Sequence, residues 1–479
     1  MTSADESGHD HHDAHHHDPT FYRSPRDAAA GPPEKLAYVA AFARPADRPD
    51  AIAVVDTDPA SASYASVVGF TELPHVGDEL HHFGWNACSS ALCPSGSHTH
   101  GDRRYLVVPG IRSSRIYILD TLDTPTAPRV VKVLGPEELG KRASYSRPHT
   151  VHCGPGYLYV SCLGGADGAE GPGGVALLDH ASFDVVGQFE KERGDQYLAY
   201  DVWWHINDNV LVTSEWATPS MIEDGIVPDL LLGNSYGHRL HFWDMTAGRL
   251  VQTLDLGAQH QMTLELRPAH DPARKYGFVG VVVSTEDLSA SIWLWHEADG
   301  QWAASKVITI PPEPAPAEQL PPLLAGFGAV PPLVTDLALS VDDRFLYVSC
   351  WGTGEMKQYG VSDPFNPREV GSVRIGGIVG RAAHPSRPDQ PLAGGPQMVE
   401  VSRDGKRVYF TNSLYGAWDD QFYPDGVGAW MAKLDVAEHG GMTFDERFFL
   451  EGEVFRGRRV HQVRLEGGDA SSDSYCYSS

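Results

Sequence analysis

One unit recurs along this chain. A short apolar run ends in Asp, a turn follows, and a second apolar run leaves it. The landmark aspartates are Asp56, Asp120, Asp179, Asp244, Asp363 and Asp435, at successive spacings of 64, 59, 65, 119 and 72 residues. The 119-residue gap holds a weaker unit around SIWLWH at 291–296, which makes seven units of roughly 60 residues. One such sheet cannot bury both faces alone, so a length-periodic unit points to stacked repeats. The runs themselves read as strands: RIYILD, YLYVSCLG, NVLVTSEW, YGFVGVVVST and RFLYVSCWG are rich in Val, Ile, Tyr and Trp and are bounded by turn residues. Long amphipathic helical patterns are absent, and PEELGKRA supports only a turn or two of helix. The expected fold is therefore all-β, a seven-bladed β-propeller over residues 21–479. A β-sandwich array would need no repeat of fixed length.

Three segments break the pattern. Residues 1–20 include HDHHDAHHHD, a polar His/Asp-rich tail with nothing to bury, expected to be disordered. Residues 311–332 are Pro-rich and read as an extended loop between blades. Residues 164–174, GGADGAEGPGG, read as a hairpin tip; no helix pattern or Lys follows that would make them a phosphate cradle.

Charge narrows the partners. Against 63 Asp+Glu stand 37 Lys+Arg, a formal net charge of −26. Such a surface repels phosphate backbones and anionic lipid, so no nucleic acid and no membrane are expected as partners. No run of eighteen apolar residues occurs. A basic stretch followed by an apolar one is missing at the N-terminus, which points to a cytoplasmic address, with a periplasmic one not excluded. Six cysteines, at 88, 93, 153, 162, 350 and 476, are too sparse for a disulfide scaffold. The Cys88–x4–Cys93 and Cys153–x8–Cys162 spacings match no common zinc pattern. These residues read mostly as reduced thiols, with Cys153 in the core.

The 23 histidines are the compositional outlier. Outside the tail, three groups stand in unusual local sequence: His81 and His82 in DELHHFGWNACSS, His149 and His152 in SRPHTVHC, and His461 in RRVHQVR. Imidazole is a ligand for copper, zinc, iron and nickel. Neighbouring residues of an ideal strand face opposite ways, so His81 and His82 could share an ion only at a strand end or bulge, and the same holds for His149 and His152. In a propeller the innermost strands converge on a central channel, where histidines distant in sequence meet. His205, His238, His241, His260 and His296 read as ordinary core or surface residues, and His270 lies in a loop. Glu215, in TSEWATP, and Asp336, in LVTDLALS, are acidic residues at strand ends, suited to orient a ligand histidine or act as a base. Salt bridges from them to Arg267 or Arg344 fit the sequence equally well.

Several stretches together resemble the selenium-binding protein family, some members of which are methanethiol oxidases. They are YRSPRDAAAGPPEKLAYV, DELHHFGWNACSS, HTVHC, TSEWATP, LELRPAHDP, LVTDLALSVDDRFLYVS, GGPQM, SLYGAWDDQFYPDG and HQVRLEGGDASSD. The resemblance covers about nine-tenths of the chain, all but the His/Asp tail. It implies a seven-bladed propeller and copper-dependent oxidation of methanethiol by O2 and water to formaldehyde, hydrogen sulfide and hydrogen peroxide. By motif it carries copper to His81, His82, His149, His152 and His461. Two positions depart from the family pattern: its selenium-associated cysteine reads Ala65, and GGDCSSD reads GGDASSD, with Ala470. Covalent selenium binding at those positions is therefore not expected. The alternative is a non-catalytic propeller scaffold that holds selenium, thiols or metal. A Ca²⁺ or Zn²⁺ hydrolase would favour carboxylate ligands, whereas here histidine dominates.

Overall fold

The computed structural model describes residues 18–93, 101–205 and 208–479. The His-rich segment at the start of the tail lies outside the described residues. Seven four-stranded sheets form the body, one for each repeat anticipated from the aspartate spacing. In six blades the strands run from axis to rim in chain order. The blade that begins the chain is different: its outer three strands are Leu36–Ala43, Pro49–Asp56 and Val67–Val76, and its innermost strand is the C-terminal Arg458–Leu465. Val39 pairs with Val463 across that junction. Closing the ring with opposite ends of the chain leaves no blade missing a strand.

The landmark aspartates mark the end of the third strand from the axis. Pro49–Asp56, Arg115–Asp120 and Arg239–Asp244 each finish on one. Their carboxylates then fold the next turn: Asp56 Oδ1 accepts from the Asp58 amide at 2.9 Å, Asp179 Oδ1 from the Ser182 amide at 2.8 Å, and Asp244 Oδ1 from the Ala247 amide at 2.9 Å. This capping of a tight turn is why Asp recurs there. The weaker unit at SIWLWH is the third strand of the fifth blade, Ala290–Ala298.

Burial falls from axis to rim. The innermost strand Val334–Leu339 is buried at every position, whereas the outermost strand of the same blade, Arg368–Arg374, is largely exposed. Inner strands pack against both neighbouring blades, so they lose the polar alternation that rim strands keep. PEELGKRA forms an eight-residue helix, Pro136–Ala143. Residues 164–174 span the hairpin between Leu158–Gly165 and Gly174–Leu178. The Pro-rich insertion joins the fifth and sixth blades and closes on itself through Glu313–Pro314 paired with Ala329–Val330.

The cysteine expectation is overturned. Cys88 is bonded to Cys153 and Cys93 to Cys476, across sequence separations of 65 and 383 residues. Only Cys162 and Cys350 are free, both buried. Spacing along the chain hid these pairs because the propeller sets them side by side. Cys88–Cys153 links the second blade to the third, and Cys93–Cys476 pins the segment that follows the ring-closing strand.

Candidate metal centre

The innermost strands of the first three blades carry the histidines to the axis. His81 and His82 immediately precede the short strand Gly84–Trp85, where the backbone is not yet extended. Glu79, just before them, has φ +51° and turns the chain. The pair is fixed from both sides: the Leu80 amide donates to Asp50 Oδ2 at 2.9 Å, and the Phe83 amide to Gln462 Oε1 at 2.6 Å. Leaving the strand conformation removes the alternation rule, and both rings enter one cluster. Gly84 is required by packing, since a Cβ there would lie 2.5 Å from the Val151 carbonyl oxygen of the next blade. His149 comes from Tyr145–Cys153, whose register against its neighbour shifts between Pro148 and Val151. That bulge covers His149 and Thr150.

Four rings meet. His81 stacks on His461 with centroids 4.1 Å apart and planes 22° apart, and His82 lies 4.1 Å from His149. The diagonals His81–His149 and His82–His461 measure 5.8 and 5.6 Å. All four residues are at most 2% exposed. Burial pushes each imidazole below its ordinary pKa; for His82, His149 and His461 the neighbouring imidazoles push further the same way. The rings are therefore neutral at neutral pH, with lone pairs free to ligate. The Nε2 atoms of His81, His149 and His461 are buried and without a hydrogen-bond partner. His461 Nδ1 lies 2.7 Å from the Ser413 carbonyl oxygen, and His149 Nδ1 lies 3.2 Å from Thr150 Oγ1. A carbonyl can only accept, so His461 carries its proton on Nδ1 and shows a bare Nε2 to the interior.

His152 does not join them. Its ring packs at a tilt with centroid 4.2 Å from that of Trp203, and its Nε2 faces Asp201 Oδ1 at 3.6 Å. The bulge that turns His149 inward does not bring His152 with it. The two proposed carboxylates also lie elsewhere. Glu215 Oε1 is 2.9 Å from Nε2 of His241, and the adjacent Trp216 reaches the site instead, as strand alternation requires. Asp336 is a staple between blades. Its Oδ1 accepts from the Leu337 amide at 2.7 Å and from Arg267 Nη2 at 3.0 Å, and its Oδ2 from the Val399 amide at 2.6 Å. Asp201 does the same two blades earlier, with the Val202 amide at 2.8 Å and the Leu266 amide at 2.9 Å. Of the residues read as ordinary, His241 partners Glu215. His270 bonds Asp343 through Nδ1 at 3.1 Å and donates from Nε2 to the Ala470 carbonyl at 2.5 Å.

The carboxyls that do approach the cluster are Glu79 and Glu265. Glu79 Oε1 is 3.9 Å from His81 Nε2, and Glu265 Oε1 is 3.5 Å from His82 Nε2. Burial opposes ionisation of Glu79, yet His81 and Arg112 outweigh it and hold its pKa near 2. Glu265 goes the other way: burial, then the nearby Asp336, push it well above the usual carboxylate range, and Tyr200 Oη lies 2.7 Å from its Oε1. Glu79 stands two residues before His81 in the same motif, a signal the sequence did offer. Tyr200 and Glu265 carry no local signal of a site.

Above the rings lies a cavity of about 350 Å³, mouth included, lined by His81, His149 and His461 together with Tyr200, Trp216, Met262, Leu264 and Trp418. Among the described residues no group of three or more His, Cys, Asp or Glu side chains stands as a ready-made metal cage. The fit to a metal rests on the donor set: neutral, buried imidazoles with unpartnered nitrogens, two of them oriented through Nδ1. That set suits copper or zinc better than calcium.

Fold and site define a propeller whose axis is occupied by histidine. The chain belongs to the 56 kDa selenium binding protein family (SBP56), whose model matches residues 15–476. It is 39% identical to a methanethiol oxidase of Xenopus laevis over 94% of this chain and 97% of that protein. It is 37% identical to selenium-binding protein 1 of Arabidopsis thaliana over 94% of each. Among solved structures, a hypothetical selenium-binding protein from Sulfolobus tokodaii superposes with a TM-score of 0.92 at 55% identity, covering 96% of this chain and all of that one.

Proposed function

We propose that this chain is a copper-dependent methanethiol oxidase. The observation that carries the proposal is the four-histidine cluster buried at the axis, in which His81, His149 and His461 keep unpartnered Nε2 atoms and line a small, largely apolar cavity. The relatives named methanethiol oxidase supply the substrate. One methanethiol, one O2 and one water give formaldehyde, hydrogen sulfide and hydrogen peroxide. The methyl carbon loses two electrons to O2, its C–S bond breaks, and its new oxygen comes from water.

His81, His82, His149 and His461 would hold the ion. Copper, when bound, supplies a soft site for thiolate sulfur and a one-electron route past the spin barrier between a thiol and O2. Trp216, Met262, Leu264 and Trp418 enclose the methyl group and exclude bulk water. Glu265, whose pKa burial raises, accepts a hydrogen bond from Tyr200 Oη beside His82. Zinc would fit the same nitrogens but has no redox chemistry.

Two disulfides favour an oxidising compartment over the cytoplasmic address expected from the N-terminus. Fractionation of the native host with non-reducing mass mapping tests this, and reduced cysteines in native protein would restore the cytoplasmic reading.

The test of function is copper content by mass spectrometry together with oxygen uptake on methanethiol. About one copper per chain, with sulfide and peroxide formed in equal amounts, is the expected result. Folded protein that takes up no copper, or holds it without oxygen uptake, would favour a scaffold that binds thiols or selenium without turnover.

A further inference from the structure

A second, larger cavity adjoins the histidine cavity. It encloses about 810 Å³, mouth included, and shares Met262, Val282 and Trp418 with the inner one. Its outer wall is built by three excursions from the blades. Leu231 lies in the connection between Val210–Ser214 and Arg239–Asp244, Leu324 and Phe327 in the Pro-rich insertion, and Trp418 in the helix Gly416–Phe422. No charged side chain lines it; Ser284 and Thr285 are its only hydroxyls. Leu232 and Phe327, at its rim, remain 57% and 50% exposed. In a chain of net charge −26, this uncharged antechamber is an exception.

We infer that the antechamber is a binding site for the alkyl chain of unbranched primary thiols longer than methanethiol. This rests on the proposed function, because the shared walls direct the chain's sulfur end toward the histidine cavity. Methanethiol itself needs only the inner cavity. Longer thiols would follow the same stoichiometry: RCH2SH, O2 and water give RCHO, hydrogen sulfide and hydrogen peroxide, with the two electrons leaving the carbon that bears sulfur. An ionised tail is excluded, since the cavity offers a carboxylate no counter-charge.

Calorimetry on the full-length protein, with 1-alkanols and 1-alkanethiols of two to eight carbons and hexanoate as probes, tests this. Affinity should rise about fourfold per added methylene in both series until the antechamber is full, as expected for burial of apolar area. Hexanoate should not bind. A Leu232→Ser/Phe327→Ser double variant, altered only at the exposed rim, should weaken 1-hexanol binding about tenfold and leave methanethiol turnover unchanged. A flat chain-length profile, hexanoate binding as well as hexanol, or an unaffected double variant would overturn the inference. The alkanol series keeps the two proposals apart. A rising alkanol profile without thiol turnover leaves the antechamber standing and removes the oxidase, and methanethiol turnover with a flat profile does the reverse.

Discussion

Nδ1 of His461 lies 2.7 Å from the Ser413 carbonyl oxygen, and its Nε2 is buried with no partner. The carbonyl fixes the tautomer, and the tautomer leaves the Nε2 lone pair free inside the cluster. Partners of this kind are worth about 10–100-fold in metal affinity, so loss of the imidazole itself should cost at least that. His461→Ala and His149→Ala are expected to weaken copper binding by about 100-fold or more and to abolish oxygen uptake. Titration against a competing chelator measures this directly, and either variant with wild-type copper affinity would misplace the centre.

His152 gives the contrasting experiment. It belongs to the same HTVHC motif, yet it packs on Trp203 and Asp201, outside the four rings. His152→Gln is expected to keep full copper stoichiometry. Copper loss in this variant, with its circular dichroism unchanged, would return His152 to the ligand set.

The channel core around Arg267 is a separate, structural matter. Arg267 is 4% exposed and lies 3.1 Å from Glu265, 3.0 Å from Asp336 and 3.6 Å from Asp201. Removing one member of a buried ionic cluster strands the others and costs about 3–5 kcal/mol. Arg267→Met should therefore lower the denaturant midpoint sharply. Asp336→Ala should do the same, because two amides from different blades lose their acceptor. Glu215→Gln, at a carboxylate committed to His241, should leave copper content and turnover unchanged. If Asp336→Ala kept full stability and lost only activity, Asp336 would be a base after all.

Which parts of this were legible in the sequence follows from range. The blades were legible because an aspartate at the end of the third strand recurs in six of the seven. The four histidines were legible as motif members, but not their grouping: that depends on the irregular backbone at Glu79–Phe83 and the bulge at His149, which no pattern of alternation encodes. Glu265 and Tyr200 acquire their places only when the fourth and fifth blades are set beside the second. Glu215 and Asp336 were acidic residues at the right kind of position, committed to His241 and to Arg267.

The disulfide Cys93–Cys476 was the least legible feature, since its partners are 383 residues apart. It anchors the segment after the ring-closing strand, where Asp473 Oδ1 accepts from the Ser89 amide at 2.5 Å and Oδ2 from Arg103 at 2.9 Å. Cys476→Ser is expected to cost about 2–4 kcal/mol, the usual worth of such a cross-link. Faster proteolysis after residue 465 should accompany it. Mass mapping without reductant checks the bond itself, and free Cys93 and Cys476 in the native protein would dismiss it.

His270 gives the last prediction, one of pH. Burial alone would lower its pKa, but the Asp343 carboxylate at Nδ1 and the Ala470 carbonyl at Nε2 outweigh it, and the pKa is raised above the ordinary 6.5. In the protonated form both ring nitrogens donate, and the cation ties the fifth blade to the terminal segment. A raised folded-state pKa stabilises the fold fully below the unfolded pKa and loses that contribution as pH rises through the folded value. Stability should thus fall as pH climbs from about 6.5 through the folded pKa of His270. His270→Gln, which keeps one donor and no charge, should flatten that part of the profile. Denaturant midpoints at half-unit pH steps for the two proteins make the comparison, and parallel profiles would show that His270 is neutral in the fold.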